Sequence, residues 1–293
     1  MSLDSGSVAS KERALVIILS LLLSLGMFSD AVAPASAPSG QPRVLILGYH
    51  EVEPGGVPPH VTIPRESAKS LAPDEMARFT ISTENFRSQL DALATHSYTV
   101  ISLQELYDFL QGTKPSLPAR SVVITTDDGW ISAKSEMQPE LKRRGHPFTV
   151  FVYPRVVERH SHHPFNLTWQ DIESLSKQGV DIQSHTFSHP FLSRARHSEL
   201  DDAHYSDWLA DELCRSRELI QSHTGRDVKF LAYPFGDYDD TVIAAARTAG
   251  YTAAVTVKPG LVRKGADPMT LRRFLVLHDT SLGEFESWLE TAK

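Results

Sequence analysis

The 293-residue chain has a single cysteine, Cys214, and no long run of lysine or arginine. One sulfur can make neither an intrachain disulfide framework nor a thiolate zinc cluster, because both need several. Any metal must therefore sit on histidine and carboxylate. The formal net charge of -7, with no basic stripe, leaves no electrostatic footprint for nucleic acid and no polybasic membrane patch. A polyanionic partner is disfavoured. No repeat of fixed period is visible, which excludes solenoids and arrays. What is present is ordinary for a globular protein: 41% hydrophobic and 22% charged residues, neither disordered nor fibrous.

The first forty residues stand apart. Lys11 and Arg13 precede an apolar run from Ala14 to Phe28, followed by the small residues Ala31, Ala33, Ala35 and Ala37, the layout of a secretory signal peptide. A full membrane span takes about 20 residues, so cleavage is favoured over anchoring. The expected division is residues 1–33 as signal peptide or N-terminal membrane anchor, 34–42 as a linker rich in Pro, Ala and Ser, and 43–293 as one domain. The protein is then exported to the periplasm, the exterior or the cell surface, and meets a membrane only through its N-terminal segment.

From Arg43 onward, short β-rich apolar runs alternate with amphipathic stretches, the pattern of βα units. Seven strand candidates emerge: Val44–Tyr49, Val122–Thr126, Phe148–Tyr153, Val180–Ser184, Val228–Tyr233, Thr252–Val257 and Leu271–Leu277. Between them, Ser102 with Glu105 and Thr168 with Asp171 resemble capping boxes, and Phe86, Leu90 and Leu93 share a helix face, as do Trp169, Ile172 and Leu175. The predicted fold is α/β, a distorted (β/α) barrel of about seven parallel strands in a single catalytic domain. In such a barrel all strand C-termini lie on one face, where active sites are assembled. His50 follows the first strand, Asp127 and Asp128 the second, His185 the fourth, and Pro234-Phe235-Gly236 the fifth. Singly, Asp-Asp-Gly is commonly a turn and a lone His a solvated or capping residue. Their coincidence is what points to a site.

His185 and His189 are four residues apart, a spacing from which two imidazoles reach one ion. A carboxylate from Asp127 or Asp128 would complete a two-His, one-carboxylate site with open coordination positions, hence a catalytic one. Adjacent aspartates invite different roles: one binds metal, the other takes a proton. The set fits hydrolysis of an amide or ester. Zn²⁺ is the first choice of metal, with Fe, Co or Ni also suited to mixed imidazole and carboxylate ligation.

These residues carry a resemblance to the polysaccharide deacetylases, the NodB-homology domain of carbohydrate esterase family 4. Thr125-Thr126-Asp127-Asp128-Gly129 resembles the family's Thr-Phe-Asp-Asp-Gly motif, with Thr126 in place of the aromatic, and His185-Thr186-Phe187-Ser188-His189 resembles its metal motif. The resemblance implies that Asp127 is the base and that Asp128, His185 and His189 hold one divalent ion. Tyr233-Pro234-Phe235-Gly236 resembles the third motif, which makes the Phe235 N–H the oxyanion donor. That motif often opens on an arginine that orients the base; Ala232 stands there, and Arg273 is the substitute considered, against a surface or structural role and ahead of Arg272.

The general acid has two sources in the family. Gly48-Tyr49-His50-Glu51 resembles the permuted branch of biofilm poly-N-acetylglucosamine deacetylases, whereas Leu277-His278-Asp279 resembles the commoner C-terminal motif. The Tyr-Pro-Phe-Gly form and the long His50-to-Asp127 segment favour His50, with His278 the alternative. The function implied is metal-dependent N-deacetylation of an N-acetylglucosamine-containing polysaccharide, poly-β-1,6-N-acetylglucosamine first and chitin-like or peptidoglycan glycan next. The alternatives are a non-catalytic carbohydrate-binding or matrix protein on the same scaffold, or a two-carboxylate glycoside hydrolase. His160, His162 and His163 read as a solvated loop, Trp169 and Trp208 as packed residues, Tyr238 and Asp239 as rim candidates, and Cys214 as a small packed side chain.

Overall fold

The structure, a computed structural model, describes residues 42–56, 77–159 and 164–292. In chain order it runs β1 (Arg43–Tyr49), β2 (Glu51–Glu53), β3 (Thr80–Ser82), α1 (Thr83–Thr95), β4 (Thr99–Val100), α2 (Leu103–Gln111), β5 (Ser121–Thr126), α3 (Gln138–Arg144), β6 (Thr149–Val152), α4 (Pro154–Glu158), α5 (Trp169–Lys177) and β7 (Asp181–Ser184). It continues through α6 (Asp202–Thr224), β8 (Phe230–Ala232), α7 (Asp240–Thr248), β9 (Ala253–Val255), β10 (Val262–Arg263), β11 (Phe274–Leu275) and α8 (Leu282–Thr291).

β1 is buried at every position after Arg43, and β5 along its whole length. Strands covered on both faces read as unbroken apolar runs and belong inside a parallel sheet. β5 pairs with β1 in parallel from Leu45 against Val122 to Tyr49 against Thr126, and β6, β7, β8 and β9 follow in the same sense. Val255 of β9 then bridges Leu271 in parallel, and Phe274 and Leu275 of β11 pair with Leu47 and Gly48 of β1. The pairing thus curls back to its first strand, a distorted barrel of the predicted class. The expected last strand, Leu271–Leu277, is broken in the middle: it leaves β9 at Leu271 and joins β1 at Phe274, with Arg273 at the break.

Alternation across the sheet divides the core in two. Val44, Ile46, Val123, Phe151, Phe230, Ala232, Ala253, Val255 and Leu271 come from all round the ring and, with Leu103, Leu106 and Phe109 of α2, form one cluster, so this cluster fills the interior. Leu45, Leu47 and Tyr49 point the other way, into a larger cluster containing Phe86, Leu90 and Leu93 of α1. Both expected capping boxes are present, at Ser102 with Glu105 and at Thr168 with Asp171. β2 and β3 form a separate parallel pair, β4 pairs with β5, and β10 runs antiparallel to β1; at two or three residues each, all four are too short to show alternation. Among the described residues no helix is long and apolar enough to cross a membrane; the proposed signal segment, 1–33, lies outside them.

Candidate active site

Because the ring strands are parallel, the residues that follow them collect at one end. Asp127 comes first off β5, and its N–H donates to the Tyr49 carbonyl at 3.0 Å, which locks the end of β5 to β1. Its carboxylate is 2% exposed and takes the Arg273 guanidinium as a two-point fork, Nη1 to Oδ1 at 2.7 Å and Nη2 to Oδ2 at 2.6 Å. Arg273 is itself 1% exposed and spends its other donors on the Thr256 carbonyl and Thr125 Oγ1. Burial pushes the Asp127 carboxyl up, but Arg273, with His185 and His50 behind it, holds it well below the usual carboxylate range. Arg272 instead reaches the Pro259 carbonyl at the surface.

The route of Arg273 depends on Gly48. A Cβ there would lie 3.0 Å from both Arg273 Cδ and Nε and 2.8 Å from Leu275 Cδ2. An isolated glycine in an apolar strand signals such a close approach, so this residue was within reach of sequence reasoning.

Asp128, the next residue, turns the opposite way because its backbone is left-handed, at φ 69°. Gly129 continues the turn at φ 66°, where any side chain would press on Val152. Asn166 Nδ2 donates to the Asp128 carbonyl at 3.2 Å, and the Leu167 N–H donates to the Gly129 carbonyl at 2.8 Å. So held, Asp128 Oδ1 lies 3.5 Å from His185 Nε2 and 3.5 Å from His189 Nε2. It is buried and has no hydrogen-bond partner among the described residues. A buried, unpaired carboxylate oxygen is costly, and facing two imidazole nitrogens it fits a cation.

His185 Nδ1 donates to the Ala232 carbonyl at 2.7 Å, which leaves the Nε2 lone pair facing Asp128. Ala232, at the position where the resemblance leads one to expect an arginine, thus orients the His185 ring through its backbone carbonyl. Burial, reinforced by its imidazole neighbour, pushes the His185 pKa down to about 4. Burial also takes His189 to about 4, against the pull of Asp127. Both are neutral at neutral pH, as ligation requires. One atom each from Asp128, His185 and His189 lies within 4.8 Å of the others, the two-His, one-carboxylate set that suits a divalent transition metal.

The acid candidates differ in their ties. His50 accepts at its carbonyl from Thr126 Oγ1 at 2.8 Å, a bond made by the hydroxyl that replaces the family's aromatic, and its ring lies 4.6 Å from Phe79. Its Nδ1 is buried without a hydrogen-bond partner among the described residues, and its ring is near enough for a charge on it to act on both Asp127 and His189. His278 Nδ1 donates to the Thr80 carbonyl at 3.0 Å, which ties that ring to β3.

Phe235 has φ 58° and is 43% exposed, with its ring 4.6 Å from His189 and stacked at 4.2 Å on Phe191. Gly236 follows because a Cβ there would come within 2.3 Å of Val257 Cγ2. Asp239, expected at the rim, is instead the N-cap of α7 and also accepts from the Arg194 N–H; Asp237 takes the Leu192 and Ser193 N–H groups. Tyr238 stacks on Tyr233 and carries Lys258 over its ring. Trp169 stacks on His223, and Trp208 lies tilted against His197 with ring centroids 4.0 Å apart, consistent with packing roles. Cys214 is half-buried on α6. His160, His162 and His163 lie outside the described residues.

Residues 114–254, which include the Asp-Asp turn, both histidines and Phe235, match the family model described as polysaccharide deacetylase. A relative, the poly-β-1,6-N-acetyl-D-glucosamine N-deacetylase of Staphylococcus aureus, is 23% identical over 94% of this chain and 97% of its own length. Among solved structures, IcaB from Ammonifex degensii is 25% identical, with a TM-score of 0.67 over 86% of this chain and 98% of that one. The Streptococcus pyogenes deacetylase PplD, solved in complex with acetate, is 24% identical with a TM-score of 0.68, covering 87% and 100%, and shares the fold. These matches show a polysaccharide deacetylase domain over residues 114–254 and similarity to deacetylases along most of the chain.

Proposed function

We propose that this deacetylase removes acetate from N-acetylglucosamine units of poly-β-1,6-N-acetylglucosamine, using one Zn²⁺ held by Asp128, His185 and His189. The observation that carries the reading is the divided aspartate pair: Asp127 clamped by Arg273, and Asp128 presenting a bare buried oxygen to two imidazoles. When bound, such an ion polarises the acetamide carbonyl and brings the pKa of water toward about 7.

The chain's own groups do the rest. Asp127, ionised throughout the neutral range and fixed in direction by the guanidinium fork, takes the proton of the attacking water. The Phe235 N–H donates to the oxyanion as the carbonyl becomes tetrahedral. His50 gives a proton to the sugar nitrogen as the C–N bond breaks, leaving acetate and a free amine. The electrostatic reach of His50 to Asp127 and His189 supports it over His278, which figures in neither. The composition of residues 1–33 supports export, so that the enzyme meets its polymer outside the cytoplasm.

The test is acetate release from an acetylated β-1,6-glucosamine oligomer by purified protein. Release is expected to stop on chelation and to return with Zn²⁺. Bound metal without acetate would favour a binding module, and new reducing ends without acetate a glycosidase. For the acid, His50→Ala is expected to lower kcat by about 10²- to 10⁴-fold and His278→Ala far less; near-full activity in the His50 variant would reverse the assignment.

A further inference from the structure

The loop from His185 to His189 holds a conformation its residues resist. Thr186 has φ 62° and His189 φ 59°. Left-handed backbone is uncommon outside glycine and a clear outlier for a β-branched residue such as threonine, so the surroundings must impose it. Part of the constraint is internal, since the His189 N–H donates to Thr186 Oγ1 at 3.2 Å. The rest comes from one stripe of α6. Glu212, 5% exposed, accepts the Ser188 N–H at Oε2 (2.8 Å) and the Ser188 hydroxyl at Oε1 (2.5 Å), and its backbone carbonyl accepts the Phe187 N–H at 2.9 Å. One turn on, Arg215 lies 3.8 Å over the Phe187 ring, and the Ser216 hydroxyl pairs at 2.7 Å with Ser184 Oγ, which accepts the Thr186 N–H. Positions 212, 215 and 216 stand on one helix face.

His185 does not need this support, because the Ala232 carbonyl already fixes its ring. Among the described residues His189 has no comparable bond to a strand; beyond ring contacts with Tyr153 and Phe235, its backbone is fixed through Thr186 Oγ1 and through its neighbour Ser188, and so through Glu212. We propose that Glu212 is a positioning residue for the metal centre: its carboxylate, acting through Ser188, holds His189 in the ligating position. The inference rests on the reading of Asp128, His185 and His189 as metal ligands. Glu212 and Ser216 interrupt an apolar helix stripe running from Leu209 to Ile220, and a buried carboxylate there has no packing reason of its own.

The test is competition titration of Zn²⁺ against a chromophoric chelator on the full chain, with the visible spectrum of the Co²⁺-loaded protein as a second readout. Glu212→Ala should weaken Zn²⁺ binding about 10- to 100-fold, as loss of a partner that orients a ligand does, and should change the Co²⁺ bands as an imidazole is lost. Glu212→Asp, one methylene short, keeps a buried acid and should fold with intermediate affinity. Glu212→Gln, whose amide oxygen can accept the Ser188 N–H and whose NH₂ can donate to the hydroxyl, should recover most of the loss. Leu213→Ala, on the same helix and fully buried, should lower thermal stability without moving metal affinity. Wild-type affinity in both Glu212→Ala and Glu212→Asp would overturn the proposal, as would equal weakening in Leu213→Ala. A wild-type protein that binds neither Zn²⁺ nor Co²⁺ would instead overturn the metal reading beneath it.

Discussion

Asp127 and Asp128 share a peptide bond and almost nothing else. Asp127 sits in a saturated region: two guanidinium bonds, a strand on either side, and a partner buried as deeply as itself. Asp128 sits in an unsaturated one, where three non-glycine residues, Asp128, Thr186 and His189, hold left-handed backbone and one carboxylate oxygen has no hydrogen-bond partner among the described residues. The first region is complete without any added group. The second carries a penalty at that oxygen, which a cation between it and the two imidazoles would relieve. A change of backbone hand across one residue lets the same side chain type serve as ionised acceptor on one side and, in the function proposed above, as ligand on the other.

The sharpest way to break this comparison is to remove each carboxylate in turn. Asp128→Asn is expected to lose bound metal, measured by elemental analysis after dialysis, and activity on the order of 10³-fold or more, since several kcal/mol of transition-state stabilisation goes with the ion. Asp127→Asn is expected to lower kcat about 10²- to 10⁴-fold with metal content unchanged. Retention of metal by the Asp128 variant, or its loss from the Asp127 variant, would reverse the two roles.

A smaller effect, on stability, sharpens the saturated side. Arg273→Met strands a buried carboxylate and is expected to cost about 3–5 kcal/mol. The pH dependence fixes the cause. In the wild type the Asp127 pKa is depressed by Arg273, so its contribution is present above the ordinary carboxylate range and lost only as pH falls through the depressed value. Without the guanidinium, burial dominates and raises that pKa, so the deficit is greatest at neutral pH and shrinks on acidification. Denaturant midpoints of both proteins at pH 5 and pH 8 should therefore lie closer together at pH 5. A constant gap would mean that Arg273 acts by packing alone.

How much of this was legible from sequence follows the same division. Whatever rests on apolar runs and local chemistry could be read: the strand candidates overlap β1, β5, β6, β7, β8, β9 and the Leu271–Leu275 segment, and Ser102 and Thr168 announced their capping boxes. What rests on residues distant in sequence could only be guessed. Arg273 lies 146 residues from Asp127, and nothing local distinguishes it from Arg272. Asn166 and Glu212 act through backbone groups of turns whose left-handed form the sequence does not display, although Glu212 and Ser216 do interrupt the apolar stripe of α6. Gly48 lay in plain view inside a strand, with its reason on the other side of the ring.

That reason yields the smallest expected effect and the most specific. In Gly48→Ala the new methyl meets the flexible end of Leu275 and the Cδ and Nε of Arg273. Leu275 can turn aside, but Arg273 is bound at both ends of its fork and by Nε to Thr256, so relief must come from its hold on Asp127. Overpacking of this kind costs about 1–3 kcal/mol. The variant should keep its metal, lose a modest part of kcat, and show the pH-dependent stability deficit of Arg273→Met in weaker form. In an Arg273→Ala background the slot is empty, so the cost of Gly48→Ala should fall to what Leu275 alone imposes. If the two substitutions prove additive in denaturant unfolding, the glycine does not hold the path of the arginine open, and Arg273 reaches Asp127 by virtue of the break in the last strand alone.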